Sequence, residues 1–156
     1  SNVFRSALGN FPTGVTIITA VATNKELVGA TVNSFSSVSL TPPLVLFSLD
    51  KNSHSLDAFR TAGAFAVNIL SYSQESLSTR FAKTFGNKWD GVQFDTWATG
   101  APIFPDSIAS FDCKTWNIYE GGDHLIFVGE VLEMSYDKSK EPLVFFQGKY
   151  SRLPIT

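Results

Sequence analysis

The chain has a single cysteine, Cys113, in 156 residues. It can form no internal disulfide, which is the usage of a reducing compartment. No apolar run approaches the ~20 residues that cross a bilayer. The opening SNVFRSALGN also lacks the charged and apolar blocks of a signal peptide. The expectation is a cytoplasmic chain with no membrane partner. Basic residues are sparse: 12 Lys and Arg stand against 14 Asp and Glu, for a formal charge of −2. Without a stripe of positive charge to follow a phosphate backbone, nucleic acid is excluded as a partner. No G-x-G-x-x-G follows a strand, so the usual dinucleotide fold is excluded, and no Walker loop, nucleophile elbow or H-E-x-x-H occurs. His54, His124 and Cys113 stand in KNSHS, GGDHL and FDCKT, which give no metal-ligand spacing, so no metal is expected.

What the chain does have is phenylalanine, 14 residues of it, within a hydrophobic fraction of 44%. That many stiff aromatics fit either a β-rich core or a stacking surface for a planar ligand. The length corresponds to one domain, 1–156, with material for one core.

The β-branched run Gly14 to Val21 and the segment Glu26 to Val32 read as a hairpin turning at Thr23-Asn24-Lys25. Leu44 to Leu49 is almost continuously apolar, the pattern of a strand covered on both faces. Phe65 to Leu70, Ile108 to Tyr119, His124 to Tyr136 and Leu143 to Phe146 complete roughly seven strands. Short helices are expected over Val3 to Leu8 and Leu56 to Ala62. A third, capped by Ser73, carries an apolar stripe of Leu77, Phe81 and Phe85. Asn87 to Pro105 is irregular, with Trp89 and Trp97 pinning a long loop. Cys113 falls in period two with Ala109 and Phe111, a small core residue. The strands do not alternate regularly with helices, so the expectation is a mainly β chain: an antiparallel, closed or split Greek-key barrel with two or three short helices.

Four clusters could carry chemistry. Thr31 to Ser39, TVNSFSSVS, offers hydroxyls and close-spaced N–H groups to a phosphate or a heterocycle edge, although composition alone favours a polar crossover loop ending in Thr41-Pro42-Pro43. Lys51, Ser53 and Ser55 precede a helix, as an anion site or as plain turn and cap residues. Arg80 could fork onto a phosphate beside Phe81, itself a natural core residue. The Gly121-Gly122 turn lets a backbone or a cofactor approach Asp123 and His124.

ALGNFPTGVTIIT at 7–19, ATVNSFSSVSLTPPLVLFSLDKNSHSL at 30–56, FAVNIL at 65–70, LSTRFA at 77–82 and GGDHLIFVGEVLEM at 121–134 together resemble the flavin reductase family. These short reductases serve two-component flavin-dependent monooxygenases. The resemblance implies an FMN-binding split barrel, usually a homodimer, that uses NADH or NADPH to reduce FMN or FAD. By position, it implies that Pro12, Thr13 and Gly14 lie near the isoalloxazine. It places Asn33, Ser34, Phe35, Ser36 and Ser37 on the polar edge, ribityl chain and phosphate, with Lys51, Ser53, Ser55, Arg80, Phe81 and Ala82 completing the phosphate side. Asp123 and His124 match the family's Gly-Asp-His motif, beside the nicotinamide. No acid or base residue is expected, because hydride passes directly between cofactors. A noncatalytic flavin-binding or sensing module on the same barrel stays open, as does a reductase of a non-flavin acceptor.

Overall fold

The computed structural model describes residues 1–155, and Thr156, the last residue of the expected 1–156 domain, lies outside the described residues. Helix α1 (Asn2–Leu8) leads into β1 (Thr13–Gly14), β2 (Thr16–Val21) and β3 (Leu27–Val32). Strands β4 (Ser36–Ser39) and β5 (Leu44–Asp50) follow, then α2 (Leu56–Ala62) and β6 (Ala64–Ile69). A 3-10 turn (Tyr72–Gln74) opens α3 (Glu75–Phe81). Two short strands come next, β7 (Asp95–Thr96) and β8 (Pro102–Ile103), then two long ones, β9 (Ala109–Gly121) and β10 (His124–Tyr136). The hairpin of β11 (Leu143–Phe146) and β12 (Lys149–Arg152) is last. Among the described residues no helix is long and apolar enough to cross a membrane.

The main sheet is antiparallel in the order β3-β2-β6-β9-β10-β5-β4, and its two edge strands are not hydrogen-bonded to each other. It curls around one core, so the barrel is split rather than closed. Side chains at period two point inward from β2, β5, β6 and β10: Ile18 and Ala20, Val45, Phe47 and Leu49, Phe65 and Val67, Leu125 and Phe127. Phe47 lies at the centre, stacked on Phe127 at 4.8 Å and met edge-on by Phe65 at 4.9 Å. Phe59 of α2 adds a further edge contact at 5.9 Å.

The other face of β2 is buried as well. Val15 and Ile17 pack with Leu70, Phe81, Phe104 and Leu143 beneath α3. Gly29 makes that approach possible, since a Cβ there would sit 2.8 Å from the Phe81 ring. A second small sheet, β1-β11-β12, ties the start of the chain to its end. There the Gln147 N–H donates to Gly9 O (2.9 Å) and its amide to Asn10 Oδ1 (2.9 Å).

Several expectations need correcting. Thr31 to Ser39 is not one polar loop, because Ser36–Ser39 forms the edge strand β4, which has solvent beside it and so needs no apolar alternation. The cap of the α3 region is Ser71, not Ser73: Ser71 and Gln74 close a capping box at the 3-10 turn. The apolar stripe ends at Phe81, because Thr84 and Phe85 are weak helix formers and Gly86 turns out at φ +113°. Phe85 is therefore 73% exposed. Strand β12 was not foreseen.

The irregular stretch contains β7 and β8, and it is stitched down by polar groups as well as by its tryptophans. Asn68, fully buried, donates to Ile17 O and Pro102 O and accepts from Phe104 N–H and Ser110 Oγ. Asp112 accepts from the Thr99 N–H at 2.9 Å and from its hydroxyl. Trp89 packs on Phe81 and Phe104, and Trp97 on the cluster of Ala66, Ala101 and Ile103.

Cys113 is buried in the main core, and desolvation, with the Asp112 charge adding to it, pushes its thiol up to about 12. At pH 8 the thiolate fraction is then on the order of one in ten thousand. Native protein should leave a disulfide reagent unreacted over minutes, with one equivalent released at once in guanidinium. Rapid reaction of the native protein would contradict this packing.

Candidate functional site

Two cavities meet along the outer side of β3, below the end of α3. One, of about 210 Å³, is mainly apolar and is lined by Val15, Thr31, Val32, Asn33, Ala82, Phe145 and Tyr150. The other, of about 290 Å³, is mixed, with Asp50, Asn52, Ser53, His54, Ser55, Lys83, Thr84 and Lys88 in its wall beside Ala30, Leu49 and Phe81, and is the more polar of the two. Thr31 and Ala82 line both, so the two form one groove with an apolar and a polar end.

The apolar end is held by a short hydrogen-bonded chain. Thr31 Oγ1 donates to Ser78 O at 2.7 Å, and Ser78 Oγ bonds Tyr150 Oη at 2.6 Å, linking β3, α3 and β12. Tyr150 stands edge-on to Phe145 at 5.6 Å, so two rings from the last hairpin build one wall. Phe145 pairs across the small sheet with Thr13, whose Oγ1 is buried without a hydrogen-bond partner among the described residues.

The polar end sits where β5 hands over to α2. Ser53 Oγ accepts from the Ser55 N–H (3.3 Å), and Ser55 does not use its side chain to cap α2. Neither Lys83 nor Lys88 forms an ion pair among the described residues. Partial burial lowers the pKa of Lys88 by penalising its charged form, a penalty that an anion beside it would offset.

Of the residues singled out in the sequence, Asn33, Ser53, Ser55, Phe81 and Ala82 line this groove. Thr13 and Gly14 stand against its Phe145 wall through β11, and exposed Pro12 precedes them. Phe81 is 1% exposed, its ring among Trp89 and Phe104.

The others take different positions. Ser34 is bound to β5, accepting from the Ser48 N–H (2.9 Å) and donating to Ser48 O (3.1 Å). Phe35 stacks on Phe111 at 5.9 Å, and Ser36 and Ser37 lie exposed on β4. Arg80 donates to Lys88 O and Asp90 O, bracing the segment that carries Lys88, and it lines a separate cavity with Gln74 and Leu77.

Lys51 reaches Glu120 at 2.5 Å, and its N–H donates to Asp123 O. Asp123 lies 2.7 Å from His124 Nδ1, and that hydrogen bond holds its carboxyl below the usual carboxylate range. His124 pairs with Asp50 in the β5–β10 ladder, which puts the Gly-Asp-His turn beside the polar end.

The sequence reading missed Phe145, Tyr150, Lys83 and Lys88. The available signal was Gln147-Gly148, where successive positive φ values of 50° and 76° make the tight turn of a hairpin.

A split antiparallel barrel with a groove that passes from an apolar slot to a pocket lined by hydroxyls and two lysines is the build of a nucleotide-cofactor barrel. The chain belongs to the flavin reductase like domain family, which it matches over residues 8–154. It is 43% identical over 152 residues to the FMN reductase (NADH) SmoA of Agrobacterium fabrum, covering 97% of this chain and 86% of that protein. The reductase subunit HsaB of a flavin-dependent monooxygenase in Rhodococcus jostii is 39% identical, with 95% and 75% covered. Among solved structures, flavin reductase PheA2 superposes with a TM-score of 0.91 at 40% identity, covering 99% of each chain. The NADH:FAD oxidoreductase SgcE6 of Streptomyces globisporus, in complex with NAD and FAD fragments, gives 0.91 at 36%, covering 97% and 91%.

Proposed function

We propose that the chain is an NAD(P)H:flavin oxidoreductase that passes hydride from NADH or NADPH to FMN or FAD and supplies reduced flavin to a partner monooxygenase. The carrying observation is the continuity of the groove, apolar where a ring system would lie and cationic where a phosphate would lie. When bound, the flavin supplies the redox chemistry by accepting hydride at its ring.

The residues present fit that ligand. Phe145 and Tyr150 offer ring faces and Asn33 is exposed at the slot, while the buried Thr13 hydroxyl stands behind the same wall. Ser53, Ser55, Lys83 and Lys88 hold the phosphate side, with Ala82 at the junction. Arg80 and Ser34 position this wall by bracing the Lys88 segment and the β3–β4 corner. Asp123 orients His124 toward a nicotinamide nucleotide. No groove residue is required to move a proton, since the protein's task is to hold two rings face to face in an apolar slot.

The test is steady turnover with each nicotinamide and flavin in combination. Oxidation of the nicotinamide only when flavin is present supports the reading. Flavin binding without oxidation would favour a noncatalytic module, and no flavin binding would end the proposal. For His124→Ala, the KM for the nicotinamide should rise about tenfold while flavin affinity changes less than about twofold. Equal losses in both would remove His124 from that role.

The whole chain is read as one domain, acting as a cytoplasmic homodimer. In support of the dimer, β10 runs on past β5 and leaves Leu132, Met134 and Tyr136 exposed at period two. Sedimentation at twice the chain mass is the expected result.

A further inference from the structure

We infer that the polar end of the groove is built for a diphosphate and its adenine, so that the chain takes FAD in preference to FMN, with Phe85 and His54 seating the base. This rests on the reading of the groove as the flavin site. Beyond α3 the chain runs from Ala82, at the junction, through Lys83 and Thr84 in the polar wall to Phe85 just outside it. Phe85 is 73% exposed, and its ring centroid lies 4.7 Å from that of His54, with the planes tilted by 59°. His54 itself lines the polar cavity. The two rings therefore meet across its mouth, offering π-surface to solvent at the outer limit of a site whose inner limit is apolar.

The cations fall between these limits. Two ammonium groups, Lys83 and Lys88, line one cavity together with Asp50, and neither forms an ion pair among the described residues. A terminal phosphate is already provided with Ser53 and Ser55, and a second cation with an aromatic seat beyond it matches a longer anion ending in a base. Because Thr31 and Ala82 line both cavities, one ligand can occupy the whole length, flavin ring inward and adenine outward.

The test is a titration of the purified protein with riboflavin, FMN and FAD, followed by quenching of flavin fluorescence, for the parent chain, Phe85→Ala and Phe85→Trp. Base–aromatic stacking predicts FAD binding about tenfold tighter than FMN in the parent chain. Phe85→Ala should bring the two within about twofold, and Phe85→Trp, which keeps a ring face, should restore the gap. Phe85 is exposed, so neither substitution threatens the fold. Equal affinities in the parent chain, or equal losses for FMN and FAD in Phe85→Ala, would overturn the inference. So would a raised KM for NADH with FAD affinity unmoved, since the seat would then serve the nicotinamide's adenine. If riboflavin and FMN also fail to bind, the fault lies with the flavin reading of the groove itself.

Discussion

Phe47→Ala should cost about 3 to 5 kcal/mol of unfolding free energy, the range for removing a buried phenyl ring. Phe47 is fully buried and touches rings from three other elements, β6, β10 and α2. These partners leave little room for relaxation. Phe127 lies parallel to it on the paired strand, Phe65 is fixed edge-on, and Phe59 enters from the helix that plugs the barrel. Urea unfolding, monitored by tryptophan fluorescence, measures the loss. Phe47→Leu, which refills part of the void, should recover much of it. A loss below about 1 kcal/mol for Phe47→Ala would mean that the core is not centred on this ring.

Ala82→Trp should weaken flavin binding by at least about a hundredfold, a change of about 2.7 kcal/mol, while leaving thermal unfolding unaltered. Ala82 lines both parts of the groove and is exposed at the end of α3. An indole there would occupy the passage between ring slot and phosphate pocket without displacing a core side chain. Flavin titration of the variant decides the matter: retained affinity would place the ligand elsewhere. Ala82→Ser, which adds one atom, should bind nearly as the parent does.

The barrel strands were legible because their side chains alternate or run continuously apolar against the core, as in β2, β5 and β10. Two edge strands, β4 and β12, escaped notice for the opposite reason. β4 is Ser-Ser-Val-Ser and β12 is Lys-Tyr-Ser-Arg, both mostly exposed, so hydrogen bonding rather than burial decides their conformation. The end of α3 was misjudged because a period-four apolar pattern continues through Phe85 after the backbone has left the helix.

For the groove, the phosphate side was partly visible in Ser53 and Ser55, which lie close together in the chain. Its ring wall was not, because Phe145 and Tyr150 come from a hairpin distant in sequence from Thr31, and no local pattern announces such a meeting. Asn68 and Asp112 read as polar breaks in apolar strands. Only the fold reveals that each secures a different point of the long loop.

The small sheet that joins β1 to β11 and β12 has a consequence for biosynthesis. Tyr150 and Phe145 wall the ring slot, so a nascent chain still on the ribosome has no complete slot until nearly all of these residues have emerged. Most of the barrel, through β10, is synthesised earlier. On the proposed reading of the groove, flavin loading follows translation of the last hairpin, which also brings the buried Leu143 into the core beneath α3.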